Sequence, residues 1–232
     1  MLLHERTTTI GGAAILTAAL CAGCGHGGLA PAPSASVVPN APTAAYSVAD
    51  GVRCSANVGA WNGREGELPD FVVPVKVRIK NDSGRPIRVL YEAFALLGKN
   101  GRSYHPIPVL PIDADARKRI PRLNPIYAST GFFVAPRFHD VYATLEPWWT
   151  PLRRDEALHE ELFSRWGKHR PDLDVLRMAL PEGVLASGGV VTGYLFFESP
   201  LDKESRVTFA ADFGAGDGKD TVASIEIPFR VQ

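Results

Sequence analysis

Cysteine is scarce in this chain. Three occur in 232 residues, Cys21 and Cys24 near the N-terminus and Cys54 alone in the body. The body therefore cannot build an internal disulfide framework and must stand on a buried core. Net charge is absent as well, since 25 lysines and arginines offset 25 aspartates and glutamates. Nucleic-acid binding needs a basic face that displaces counterions from phosphates, so no nucleic-acid partner is expected. The N-terminal apolar run is too short and too rich in small residues for a convincing membrane span. No set of residues at a recognisable spacing specifies a reaction, and neither an enzyme nor a cofactor is expected. With 45% hydrophobic and 22% charged residues, what remains is an ordinary globular composition, long enough for one core.

Residues 1–23 have a short polar start carrying Arg6, an apolar run and then small residues, the layout of a secretory signal. The Cys21-Ala22-Gly23-Cys24 segment resembles the lipobox of bacterial lipoproteins, in which a small residue precedes a cysteine that is thioether-linked to diacylglycerol. Cys21 stands where leucine is usual. The resemblance implies that Cys24 is the lipid attachment point and that the partner at this end is a membrane. The expected location is the bacterial cell envelope, anchored to the outer membrane on its periplasmic side or at the cell surface. An ordinary secreted protein, cut after an Ala-rich site, is the alternative. Residues 24–50 hold this cysteine and then Gly, Ala, Pro, Ser and Thr with almost no charge, and are read as a flexible linker.

Residues 51–232 are read as one domain. In 71–80, Phe71, Val73, Val75, Val77 and Ile79 alternate with Lys76, Arg78 and Lys80, the pattern of a half-buried strand. A shorter strand is expected near Cys54. Asn81-Asp82-Ser83-Gly84 is a turn, and Lys99-Asn100-Gly101-Arg102 is a hairpin signal between apolar stretches. Three antiparallel strands in succession are expected there. Pro151 after Thr150 suggests a capped helix, Leu158, Leu162 and Trp166 recur every four residues, and Leu173, Leu176 and Leu180 suggest a second helix. Strands return in 190–197, 206–213 and 224–231. Pro74 and Pro228 fall on the outward sets, which places those strands at an edge or a bulge. The fold class is mainly β: an antiparallel β-sandwich with a helical insertion at about 150–180.

The turn at Asn81-Asp82-Ser83-Gly84, Phe94-Ala95-Leu96 with Gly101 and Tyr104, Leu180-Pro181-Glu182-Gly183, Gly193-Tyr194-Leu195-Phe196-Phe197 and the closing Ile-Pro-Phe are similar in layout to the immunoglobulin-like domains of uncharacterised bacterial envelope lipoproteins of the DUF4352 type. The resemblance implies an immunoglobulin-like sandwich over about residues 70–232 and no catalytic residue.

Asp82-Ser83-Gly84 has the letters of an aspartic-protease turn, but that chemistry needs two such carboxylates sharing a proton, and the setting here is polar. Asp212, Asp217 and Asp220 could supply oxygens to a cation, yet lack the ligand spacing of known calcium loops. His159-Glu160 lacks the second histidine of a zinc helix, so no metal is expected. Cys54 is read as a small buried hydrophobe. Trp148 and Trp149, with Tyr142 and Phe138 nearby, either pack the insertion onto the sheet or anchor a partner surface. The function expected from these features is a non-catalytic binding or structural module for another envelope component, a protein or a glycan. A hydrolase with a site assembled from scattered residues is the alternative.

Overall fold

The structure, a computed structural model, describes residues 28–61, 68, 70–142, 144–148, 150, 152, 155–218 and 220–232. Its frame is two packed sheets. In the small sheet the order is β1 (Leu29–Pro31), β13 (Thr221–Val231), β12 (Arg206–Gly214), β7 (Phe94–Gly98) and β8 (Ser103–Tyr104). In the large sheet it is β10 (Glu146–Pro147), β9 (Thr130–Val134), β11 (Gly183–Glu198), β5 (Val72–Asn81), β4 (Val52–Asn57), β3 (Ala41–Ala49) and β2 (Ser36–Val38), with β6 (Ile87–Val89) also on β11. The protein is a β-sandwich. Among the described strands the pairing is antiparallel except that β10 runs parallel to β9, and isolated parallel bridges join Leu123 to Tyr142 and Ala179 to Tyr194.

Alternation builds this frame where it is cleanest. Val75, Val77 and Ile79 of β5 are completely buried, as is Val191 opposite Ile79, and Leu195 opposite Val75 is nearly so, whereas Arg78 and Lys80 are exposed. Phe71 departs from the pattern: it precedes the strand and is 37% exposed. On β13, Ile225, Ile227 and Phe229 point into the same core. Rings fill the space between the sheets: Phe94 lies 6.0 Å from Phe209 and 5.8 Å from Phe213, and Phe197 6.1 Å from Phe209. Pro74 is tolerated inside the large sheet because β4 pairs with β5 only from Lys76 onward. Pro228 lies just beyond the end of β1 and its carbonyl accepts from Ala32 N–H at 3.0 Å.

Two expectations are corrected by this topology. The segment read as a flexible linker contains β1, β2 and β3; β3 pairs with β4 from Ala44↔Asn57 to Ala49↔Val52. Its small residues are what the site requires, because Ala44 and Ala45 are buried against the core, and larger side chains would not fit there. The second correction concerns the three successive strands. β5 and β7 lie in different sheets; β6 pairs with β11, and a 3-10 turn at Tyr91–Ala93 carries the chain across to the small sheet. The turn before β6 is held by Asn81, wholly buried, whose Nδ2 donates to the Arg85 carbonyl at 2.8 Å and the Leu185 carbonyl at 3.0 Å, while its Oδ1 accepts from Ser83 N–H at 3.1 Å. Asp82-Ser83-Gly84 is thus a plain turn.

Four short helices lie between β8 and β11: α1 (Ala114–Lys118) and α2 (Pro136–His139), then α3 (Glu156–Ser164) and α4 (Leu173–Met178) within the expected insertion. The cap of α3 is Asp155, whose side chain accepts from Leu158 N–H at 3.0 Å, rather than Thr150. An aspartate satisfies the same orphan amide and its charge also suits the helix start. The insertion docks along β11 by backbone, Leu180 N–H donating to the Tyr194 carbonyl at 2.8 Å, and the loop after β8 does the same through Ile107 N–H to the Phe196 carbonyl at 2.6 Å.

Cys54 lies on β4 opposite Ile79 and is fully buried. Burial pushes its thiol pKa up, because the thiolate would be formed without solvation. A thiol-specific reagent at neutral pH should therefore label it at least about 1,000-fold more slowly in the native chain than in denaturant, since access requires global opening. Labelling within a factor of ten of the denatured rate would place Cys54 in a locally opening strand instead.

Candidate functional site

A recess of ligand size lies where β10 ends. Trp148 N–H donates to the Val134 carbonyl at 2.7 Å, which extends the parallel pairing with β9 by one residue and holds the indole 6.2 Å from the Phe133 ring. Facing it are the turn residues Arg85 and Pro86 and the β12–β13 hairpin. Gly216 N–H donates to the Pro86 carbonyl at 2.9 Å, and Ile87 bridges to Ala215. Between these elements is a groove of about 480 Å³ lined by Arg85, Pro86, Trp148, Thr150, Ala215, Gly216, Asp217 and Asp220. Its volume falls within the range of small-ligand sites, and its mixture of apolar faces with a few charges is what such sites use for orientation. The indole Nε1 is buried without a hydrogen-bond partner among the described residues. Leaving such a donor unsatisfied costs about 1–3 kcal/mol, which an acceptor on a partner could recover.

The residues expected to form a partner surface separate into three groups. Trp148 is half-buried and lines the groove. Phe138 and Tyr142 are buried, which corrects their assignment to that surface: one short turn of helix turns Phe138 inward, the two rings stack at 5.8 Å, and the Tyr142 hydroxyl donates to the Leu176 carbonyl. They tie α2 to α4. Burial also pushes the Tyr142 phenol pKa up. Trp149 and Cys24 lie outside the described residues.

Asp212, Asp217 and Asp220 are exposed around the same hairpin. Arg88 reaches among them: a Cβ placed on Gly218 would lie 2.5 Å from its Nη1, and Arg88 shares a second cavity of about 320 Å³ with Glu92, Asp212 and Asp220. A guanidinium there opposes a bound cation by direct repulsion. Among the described residues no three His, Cys, Asp or Glu side chains converge in a way that could hold a metal ion.

A cluster not foreseen from the sequence lies beneath α3. His159 and Glu182, both nearly buried, line a small cavity of about 90 Å³ with His105, Asp155 and Tyr91. His159 Nε2 is 2.8 Å from the Leu110 carbonyl, and Arg137 Nη1 lies beside the ring, 2.8 Å from Nδ1 and 2.9 Å from Nε2. Glu182 Oε1 accepts from Tyr91 N–H at 2.9 Å. Both side chains make contacts that help fasten the helical segment to the sandwich. The residues come from four separated segments, so only the positions of His159 and Glu182 beside helix and strand signals could have pointed to them.

No helix among the described residues is long and apolar enough to cross a membrane. No protein-family model matches the chain, and the comparison with curated proteins gives no match. Among solved structures, a candidate lipoprotein from Bacillus subtilis aligns with TM-score 0.36 and 12% identity, over 80% of this chain and 38% of that one. The chain thus spans well under half the length of that structure.

Proposed function

We propose that the chain is a bacterial envelope protein, held at the outer membrane by a lipid on Cys24, and that it acts as a non-catalytic binding module for another envelope component, a protein or a glycan. The groove beside Trp148 is the observation that carries this reading. It joins an aromatic face, an unsatisfied indole donor and flanking charges at the edge of the sandwich, a combination typical of residues that dominate recognition energy. The cluster at His159 supports a hydrolase less well, because His159 Nε2 faces the Leu110 carbonyl and Glu182 Oε1 holds Tyr91 N–H within the fold.

The test is in-cell crosslinking followed by co-purification. Trp148→Ala should lower recovery of a discrete partner by about 30-fold, the loss expected of a central tryptophan contributing about 2 kcal/mol. The fold should be unchanged by that substitution. In parallel, Cys24→Ser should move the chain out of the membrane fraction. Partner recovery that does not change with Trp148→Ala would remove the groove from consideration.

A further inference from the structure

The small sheet carries a row of like charges at one end. Arg206 of β12 and Arg230 of β13 are directly paired across the strands, and Lys99 follows the next pairing, Gly98↔Val207. All three are exposed, and none of them forms an ion pair among the described residues. Facing like charges on adjacent strands destabilise a sheet. Lys99 and Arg206 line a shallow recess of about 280 Å³ with Leu97, itself 38% exposed, and with Glu226. The other nearby carboxylate, Glu204, is turned inward, where it accepts from Lys99 N–H at 3.1 Å and lies 3.4 Å from the Tyr104 hydroxyl.

This end is also where the anchor reaches the domain. Ala30 pairs with Arg230, and the Gly28 carbonyl accepts from Gln232 N–H at 2.8 Å. Because β1 begins at Leu29, the tether is not the long linker expected from composition. Gly28 lies four positions after Cys24, a reach of at most about 14 Å when fully extended. A lipid on Cys24 therefore keeps this end within one or two Debye lengths, each about 8 Å, of the headgroups.

We propose that the end of the small sheet bearing Lys99, Arg206 and Arg230 lies against anionic headgroups of the membrane that holds the chain, with Leu97 facing the interface. This rests on the lipid-anchor reading above. Docking here leaves the Trp148 groove for a partner, so tether and recognition use different surfaces. Each basic residue near an anionic surface contributes about 1 kcal/mol, or roughly a fivefold factor in occupancy.

The test uses the full chain as made in cells, extracted in detergent and reconstituted into vesicles of phosphatidylcholine alone or of an equimolar mixture with phosphatidylglycerol. Phenylglyoxal modification of arginines is followed by peptide mass, and the same digest reports whether Cys24 is acylated. On anionic vesicles Arg206 and Arg230 should be modified at least about fivefold more slowly than on neutral ones, with the difference lost in high salt. Arg206→Glu/Arg230→Glu, on exposed positions, should abolish dependence on lipid composition as read by the protection of neighbouring amides. Acylated chain with equal rates on both vesicles, or with protection at Arg53 and Arg78 of the large sheet instead, overturns the proposed face and leaves the anchor standing. An unacylated Cys24 overturns the anchor reading and this proposal with it.

Discussion

Trp166→Ala should destabilise the protein by about 3–5 kcal/mol, the cost of emptying a packed aromatic site. The indole follows α3, is 2% exposed, meets Phe196 edge-on at 6.0 Å, and donates from Nε1 to the Pro108 carbonyl at 2.8 Å. It joins three segments that are distant in sequence: the helical insertion, the proline-rich loop and the central strand β11. Truncation removes the packing and also strands a buried carbonyl, and the two effects add. Trp166→Phe separates them, because it keeps most of the ring burial and loses only the hydrogen bond; a cost of about 1–2 kcal/mol is expected. Denaturant unfolding measures both variants, with Trp148→Ala as a reference that should stay within about 0.5 kcal/mol of the unmodified chain. If Trp166→Ala shifted stability by under 1 kcal/mol, the insertion would not be docked as described.

Gly193→Ala should cost about 3 kcal/mol or more despite adding a single methyl group. A Cβ at this position would lie 2.5 Å from Leu180 N, 2.9 Å from the Ala179 carbonyl carbon, and closer still to Leu180 Cα. These are backbone atoms of a segment pinned on both sides. Leu180 N–H donates to the Tyr194 carbonyl, and the Leu180 carbonyl accepts from the Tyr91 hydroxyl at 2.8 Å. The methyl therefore cannot be relieved by a side-chain rotation, and overpacking of this kind adds to the loss of those hydrogen bonds. Amide exchange gives the sharper reading: protection at Leu180 should fall in the variant before that of Val77 or Ile79. A uniform fall across β5 and β11 would mean that the insertion and the sandwich open together.

How much of this could be read from the chain depends on whether a residue's role is local. β5 and β13 were legible because alternation alone decides which of their side chains is buried, and Ile79 and Ile227 obey it. The hairpin at Gly101, with φ of +76°, was legible because few residues tolerate that conformation. β3 was not. Its buried residues, Ala44 and Ala45, are adjacent rather than alternating, and its identity as a strand comes from pairing with β4. The same holds for the crossing of β6 and β7 between sheets, since a turn propensity says where the chain bends but not which layer it enters. Of the candidate site, Trp148 was visible as an aromatic beside prolines; Arg85, Pro86 and Gly216 were not, because tertiary contact alone brings two turns up to it. Phe138 and Tyr142 were misplaced for a related reason. An aromatic residue in an irregular segment has no periodicity to reveal the face it occupies.

The pairing of β1 with β13 joins the first strand to the last. In a chain that crosses a membrane N-terminus first, β1 arrives long before its partner exists on the same side. Neither β1 nor β12 can complete its hydrogen bonding until Thr221–Val231 is available, so on the proposed envelope reading the small sheet would close only after translocation ends. Closure then has to span nearly the whole chain, an entropic requirement that makes folding slow compared with that of locally paired proteins. During that interval β12 presents an unpaired edge, the kind of surface on which chains aggregate. On the proposed reading, a lipid on Cys24 at the N-terminus would hold the chain at a surface while this edge is open, before the fold is finished.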